Sequence, residues 1–183
     1  MPHAAPERPS AWVDRFLPLV PAGERILDVA AGGGRHTRLA RARRHAVTAV
    51  DIDVAALADL RADPEVEVVA ADLEGAPWPF GERRFAGVIV TNYLHRPLLP
   101  LLVAAVAEGG ALIYETFAAG NEALGKPSNP NFLLQPGELL DAVRGHLTVV
   151  AYEHGTVETP RPAVIQRIAA VRGVRPTLRL PSS

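Results

Sequence analysis

The stretch ILDVAAGGGRHTRLA, residues 26–40, joins an apolar run to a polar run through three consecutive glycines. The apolar run contains one acid, Asp28, and burying a carboxylate without partners is costly. Glycines allow a sharp turn and a close approach between the backbone and a ligand. A helix that begins among them presents free N–H groups and the positive end of its dipole. The stretch therefore predicts a strand, a turn and a helix, with a ligand site at the turn.

The same alternation of strand-like and helix-like segments continues along the chain. Predicted strands cover residues 24–30, 46–53, 66–75, 85–92 and 111–117, and predicted helices cover 10–20, 34–45, 54–62, 97–110 and 137–145. Ser10 is the expected N-cap of the first helix, and Gly109 and Gly110 are the expected C-cap of the fourth. Two last strands, 147–156 and 163–173, are spaced as a hairpin.

This order predicts the fold class. Strands alternating with helices form a mostly parallel sheet that is covered on both faces. We expect a doubly wound, Rossmann-like α/β domain of seven strands, in which the C-terminal hairpin contributes an antiparallel strand. The long connection 118–136 is expected to be a loop on the substrate side, because compact domains seldom keep such a loop without a function.

Composition excludes several classes of protein. The 183 residues are 48% hydrophobic and carry a net charge of −1, which favours one globular domain and gives no reason to expect a nucleic-acid partner. The chain has no cysteine, and its histidines lack metal-ligand spacing, so no metal site is expected. Residues 1–9 are expected to be flexible and 174–183 to form a tail. Without a signal peptide or a membrane-length apolar run, we expect a cytoplasmic protein with no membrane contact.

Two further acids close the second and third predicted strands. Asp51 and Asp72 lie on the same rim of the sheet as Gly32 and Gly34, since ligands of such sheets bind beyond the carboxyl ends of the strands. An acid at the end of the second strand commonly binds a ribose diol. Each acid also has a structural interpretation. Asp51 can cap the helix that follows, although Asp53 is better placed, and Asp72 can form a turn.

Asp28 distinguishes between two adenosine-containing cofactors. A dinucleotide pyrophosphate is anionic and would be repelled by this carboxylate, and Thr37 stands where the dinucleotide fingerprint has its third glycine. The amino-acid end of S-adenosylmethionine (SAM) carries an ammonium and a sulfonium, which a carboxylate attracts. The residues therefore favour SAM over a nicotinamide cofactor.

At these positions the chain resembles the class I SAM-dependent methyltransferases. The motifs that carry the resemblance are LDVAAGGG, VTAVDID, VVAADLEGAPWPF and FAGVIVTNYLH, in the family's order, and Ala30 stands where the family usually has its first glycine. The resemblance implies a methyltransferase that binds SAM and releases S-adenosylhomocysteine. It also implies a set of cofactor-binding residues: Asp28, Ala30, Gly32, Gly34, Asp51, Ile52, Asp72, Leu73 and Asn92.

A looser resemblance concerns the second half of the chain. The segments NYLHRPLLPLL and GGALIYETFAAGNEALGKPSNPNFLLQPGELL are similar to small bacterial methyltransferases described as tellurite-resistance-like. This resemblance implies a small-molecule methyl acceptor and does not identify it.

Three residues near the same rim are candidates for catalysis. His95 follows the fourth strand and can act as a general base, since imidazole titrates near neutrality, or it can simply position the loop. Tyr93 and Tyr114 are the other two candidates.

Three other functions remain open at this point. They are a SAM-binding module without catalysis, an RNA or protein methyltransferase, and an NAD-dependent oxidoreductase with a minimal nucleotide-binding domain. The arginines at 38, 41 and 44 can serve RNA binding or form an ordinary solvent-exposed helix face. The sequence leaves the oligomeric state open.

Overall fold

A computed structural model describes residues 8–173. The expectations for the first seven residues and for the tail 174–183 concern parts of the chain outside this range. Within it, no helix is long and apolar enough to cross a membrane.

The described chain forms one seven-stranded sheet in the order β3-β2-β1-β4-β5-β7-β6. The strands β1 to β5 pair in parallel, and β7 runs antiparallel to both of its neighbours, β5 and β6. The predicted fold class and the C-terminal hairpin are confirmed. The strands are β1 (Ile26–Val29), β2 (Val47–Asp51), β3 (Val66–Ala70), β4 (Phe85–Thr91), β5 (Val106–Phe117), β6 (Thr148–Val157) and β7 (Ala163–Val171).

Helices cover both faces of the sheet. They are α1 (Ala11–Phe16), α2 (Arg35–Ala42), α3 (Leu99–Ala104) and α4 (Glu138–Val143). In addition, 3-10 helices cover Leu17–Leu19, Ala55–Ala62, Arg96–Leu98, Asn121–Ala123 and Pro130–Phe132. The strands β1, β2 and β4 are almost entirely buried, as expected for a parallel sheet between two helical layers.

Each face has its own apolar core. On one face, Phe16 of α1 packs in a cluster with Ile89 and Ile113 of the central strands. On the other face, residues of α3 and α4 such as Leu102 and Leu139 join a larger cluster. Ser10 caps α1 as predicted, because its hydroxyl accepts the N–H groups of Trp12 (3.1 Å) and Val13 (3.4 Å).

Two predicted helices differ from the structure. Residues Ala55–Ala62 form a 3-10 helix rather than an α-helix. The predicted helix 97–110 ends at Ala104, and β5 begins at Val106. Gly109 and Gly110 are therefore not a C-cap and lie within β5. The physical reason is a register shift, since Phe85 pairs with Val106 but Gly87 pairs with Ala111, and the intervening residues form a bulge.

The bulge needs glycine at position 110. A Cβ atom there would lie 2.7 Å from the carbonyl oxygen of Ala86, a backbone atom that cannot easily move aside. We expect Gly110→Ala to lower the free energy of unfolding by about 2 kcal/mol, as overpacking of a close contact does. Urea denaturation measures this change. Gly155→Ala is the matched control, because a Cβ there meets nothing within 4 Å. Equal stability of the two variants would contradict the interpretation.

Candidate active site

The turn between β1 and α2 has an unusual backbone. Ala30, Gly32 and Gly34 have φ angles of +52°, +53° and +75°. The left-handed region suits glycine and costs alanine about 1 kcal/mol or more. Strain of this kind persists where the surrounding structure enforces it, often at ligand sites. The turn predicted from the three glycines is therefore present, and Ala30 adopts a glycine-like conformation within it.

Asp28 is buried below this turn, with only 2% of its surface exposed. Its Oδ2 accepts a hydrogen bond of 2.6 Å from the Thr37 hydroxyl. Burial raises the pKa of Asp28 to about 6, against the opposing effects of Thr37 and the Arg35 charge. Asp28 therefore has a hydrogen-bond partner within the protein, Thr37 of α2, whether or not a ligand is bound.

Asp51 connects the end of β2 to the glycine turn. Its Oδ2 accepts the N–H of Gly32 at 2.8 Å, and its Oδ1 accepts the N–H of Asp53 at 3.0 Å. Asp53 in turn accepts the N–H of Ala55, so Asp53 rather than Asp51 begins the following helical turn. Ile52 is 70% exposed beside this acid, which is unusual for a large apolar side chain.

Asp72 forms the turn that follows β3. Its Oδ1 accepts the N–H groups of Glu74 and Gly75, both at 2.9 Å, and these bonds lower the pKa of Asp72. Within residues 8–173, its Oδ2 accepts no hydrogen bond. The neighbouring Leu73 is buried with the apolar core. The turn interpretation of Asp72 is confirmed, and one oxygen remains available to a ligand.

In the loop after β4, the catalytic candidates Tyr93 and His95 both lie near the carboxylate of Glu74. Asn92 has a φ of +54° and donates its N–H to the carbonyl of Glu115 at 3.0 Å. Burial, and after it the charge of the nearby Glu74 carboxylate, raises the pKa of Tyr93. His95 Nδ1 lies 3.9 Å from Glu74 Oε2. Glu74 was not predicted as a site residue. It comes close to this loop only in the folded structure, and no local sequence motif indicates that contact.

Tyr114 takes a different position from the other two catalytic candidates. It is 1% exposed, and its hydroxyl donates a 2.7 Å hydrogen bond to the carbonyl of Tyr93. Burial raises the pKa of this hydroxyl. This geometry fits a residue that holds the β4 loop and does not fit one that contacts an acceptor.

Arg35 is a second residue that the sequence reasoning missed. It begins α2, and its guanidinium donates to the Thr91 hydroxyl and to the Arg8 carbonyl, both at 3.3 Å. The adjacent His36 is 2% exposed and accepts the Ser10 N–H at 3.1 Å. Burial lowers the pKa of His36 to about 3, so it is neutral and structural. The position of Arg35 directly after the glycines is the signal that could have identified it.

The loop 118–136 is anchored at both ends. Ala118 bridges to Leu134, and the buried Asn121 bonds to the Pro127 carbonyl at 2.9 Å and to the Val164 N–H at 3.1 Å. Two large apolar side chains of this loop, Leu124 and Phe132, are about half exposed. The loop is thus ordered and presents apolar surface.

A groove of about 650 Å³ lies elsewhere, between α3 and α4. Three of its arginines have structural partners. Arg96 pairs with Glu138 at 2.7 Å, and Arg144 pairs with Asp141 at 2.6 Å. Arg172 donates to the carbonyls of Val103 and Val106. The groove contains no residue of the glycine turn and neither of the rim acids Asp51 and Asp72. Among the described residues, no cluster of three or more histidine and acidic side chains can hold a metal ion.

The fold and the site together define a class. The strand order with its antiparallel β7, the glycine turn after β1 and the acid at the end of β2 are the features of a class I methyltransferase. A family model described as a methyltransferase domain matches residues 26–110, from the start of β1 into β5. The expectation of a methyltransferase is confirmed. A comparison with curated proteins finds no match.

Three solved structures illustrate the fold similarity. A Burkholderia thailandensis 1,6-didemethyltoxoflavin-N1-methyltransferase with bound S-adenosylhomocysteine is 22% identical, with TM-score 0.62 over 82% of this chain and 72% of its own. TehB from Haemophilus influenzae is 16% identical, with TM-score 0.69 over 88% and 61%. A TehB-like SAM-dependent methyltransferase from Corynebacterium glutamicum is 18% identical, with TM-score 0.62 over 88% of both chains. The present chain therefore spans less than two thirds of TehB. The comparisons support SAM as the cofactor.

The raised pKa of Asp28 predicts a pH dependence of stability. Its pKa is about 6 in the folded state, against an ordinary aspartate value of 3.8, so its contribution is fully present well below pH 3.8 and is lost as the pH rises through 6. Relative to Asp28→Asn, the wild type should lose roughly 2 kcal/mol of unfolding free energy between pH 4 and pH 8. Denaturant titrations across this range measure the difference.

Asp59→Asn is the control for this prediction. Asp59 is exposed, and its hydrogen bond to Arg38 lowers its pKa, so the difference between wild type and variant should have the opposite sign. A wild type and an Asp28→Asn variant whose stabilities remain parallel from pH 4 to pH 8 would contradict the raised pKa.

Proposed function

We propose that this protein transfers a methyl group from SAM to a small-molecule acceptor. One observation carries the proposal: the strained glycine turn, the Asp51 carboxylate and the available oxygen of Asp72 all lie at the carboxyl edge of the sheet. This edge is where open α/β sheets bind their ligands. The small molecule in the name of the Burkholderia enzyme supports a small-molecule acceptor.

The residues at this edge suit the parts of SAM. Each Asp51 oxygen already accepts one backbone N–H and can accept one more bond, which is enough for the two ribose hydroxyls. The exposed Ile52 offers an apolar surface for the adenine, and Asp72 Oδ2 can accept its amino group. Asp28 lies beside the turn, where the cationic amino-acid end would be. Ala30, Gly32 and Gly34 give the close backbone approach, and Leu73 and Asn92 complete the proposed set.

SAM supplies an activated methyl group and a thioether leaving group for displacement in line with the attacking atom. The protein then has to hold donor and acceptor in line and to exclude water. The loop 118–136, with Leu124 and Phe132 exposed, is the proposed acceptor side of the site.

His95 is the proposed base for an acceptor that must lose a proton. Glu74 lies 3.9 Å from its Nδ1 and would stabilise the imidazolium that forms. An acceptor that is already nucleophilic needs only positioning. No observation favours the nicotinamide, nucleic-acid or non-catalytic alternatives, and the cytoplasmic location stays a prediction.

Asp51→Asn tests the cofactor assignment with little change in the fold. The amide oxygen can still accept the Gly32 N–H, but the bond from the Asp53 N–H and a charged acceptor for the ribose are lost. We expect S-adenosylhomocysteine binding to weaken by roughly 10- to 100-fold, the range for hydrogen bonds to charged groups. Isothermal titration calorimetry measures the dissociation constant. Asp53→Asn is the matched control, because the Asp53 side chain accepts the Ala55 N–H and is not a proposed cofactor ligand; it should bind within about twofold of wild type. Equal affinity of both variants would rule out Asp51 as the ribose ligand.

A further inference from the structure

The groove between α3 and α4 lies outside the proposed cofactor site and contains more cations than acids. Its volume of about 650 Å³ is in the usual range for small-molecule sites. Leu99, Pro100 and Val103 of α3 and Ala142 of α4 give it an apolar lining. Four arginines and two acids also line it. The groove therefore combines apolar surface with an excess of positive charge.

Both acids of the groove are already paired. Glu138 accepts from Arg96 at 2.7 Å, and Asp141 accepts from Arg144 at 2.6 Å. The excess positive charge therefore belongs to the other two arginines. Neither of these has a carboxylate within ion-pair distance in the part of the chain that the structure describes.

The two unpaired arginines, Arg84 and Arg172, lie beside the junction between α3 and β5. Phe85, the residue after Arg84, donates its N–H to the Ala105 carbonyl at 2.8 Å. Arg172 donates from its Nε to the Val106 carbonyl at 2.7 Å. Because Ala105 and Val106 are consecutive, both arginines are placed near the same point of the groove.

Both arginines keep hydrogen-bond donors available. The Nη2 of Arg172 donates to the Val103 carbonyl at 2.6 Å, whereas its Nη1 makes no hydrogen bond to any residue of 8–173. Arg84 is exposed, and its side chain donates to no acceptor within the same residues. Since a guanidinium has five N–H donors, the pair presents two positive charges and several unused donors next to apolar surface.

We propose that this groove binds a phosphate monoester that carries an apolar body. Two unpaired arginines match the two negative charges that a phosphate monoester carries near neutral pH, and guanidinium groups bind phosphate oxygens through paired N–H donors. The apolar lining suits a hydrocarbon or aromatic body. The inference goes beyond the proposed function, because the groove contains no residue of the glycine turn and neither Asp51 nor Asp72.

A purely structural role for these arginines makes a different prediction. A cation near the C-terminus of a helix stabilises the unpaired carbonyls and the negative end of the dipole, and Arg172 does this for α3. With that role alone, the groove would bind no anion. Arg84 makes no such bond, so a substitution there tests ligand binding without removing a contact of the fold.

The experiment is an NMR titration of the ¹⁵N-labelled chain with hexyl phosphate, inorganic phosphate, hexanoate and 1-hexanol. We expect hexyl phosphate to bind with a dissociation constant on the order of 0.1 to 1 mM, with the largest amide shifts in α3 and α4. Each of the other probes should bind at least about fivefold more weakly, because it lacks the apolar body or one or both negative charges.

Variants at Arg84 assign the binding to this groove. Arg84→Gln should weaken hexyl phosphate binding by roughly 5- to 10-fold, since an exposed charged hydrogen bond is lost. Arg84→Lys keeps the charge and should recover part of the loss. Arg61→Gln is the matched control, because Arg61 is also exposed and does not line the groove, and it should match wild type.

Four outcomes would overturn the inference. They are no binding of hexyl phosphate, equal binding of hexyl phosphate and inorganic phosphate, equal affinities of Arg84→Gln and Arg61→Gln, and displacement of hexyl phosphate by S-adenosylhomocysteine. The last would place the probe in the cofactor site. A dimer in sedimentation velocity without probe binding would assign the groove to a second copy of the chain. All of these outcomes leave the proposed function standing, because S-adenosylhomocysteine binding is measured separately.

Discussion

The hydrogen bond from the Gly32 N–H to Asp51 Oδ2, 2.8 Å long, connects the two parts of the molecule on which the site depends. It connects the end of β2 to the strained turn after β1. The Asp51 carboxylate and the backbone of the glycine turn therefore lie side by side at the same edge of the sheet. Parallel pairing of β1 with β2 in register brings the two strand ends together, and the apolar cores on both faces hold that register. The position of the site therefore follows mainly from the geometry of the sheet.

Charge is distributed unevenly around this bond. Three acids lie at this edge of the sheet: Asp28, Asp51 and Asp72. In each of them at least one carboxylate oxygen accepts a hydrogen bond from a backbone N–H or a hydroxyl, which reduces the free-energy penalty of placing these charges close together. Arg35 is the cation closest to the turn in sequence and has no carboxylate partner among the residues that the structure describes.

Much of the fold could be predicted from the sequence because it depends on local patterns: buried apolar strands, acids at strand ends and a serine cap on α1. The bulge at Gly109 and Gly110 could not, since a glycine that ends a helix and one that allows close strand contact are identical in sequence. In the site, Gly32, Gly34 and Asp51 follow from the motif. Glu74 and the burial of Tyr114 do not, because tertiary packing alone decides which side chains meet.

The central claim is that this edge binds an adenosyl amino acid rather than a dinucleotide. Calorimetric titration of the wild type with SAM, S-adenosylhomocysteine and NAD in parallel tests it most directly. The account predicts micromolar binding of both adenosyl ligands and none of NAD. Binding of NAD, or of neither adenosyl ligand, would contradict it and would leave the glycine turn with a structural role only.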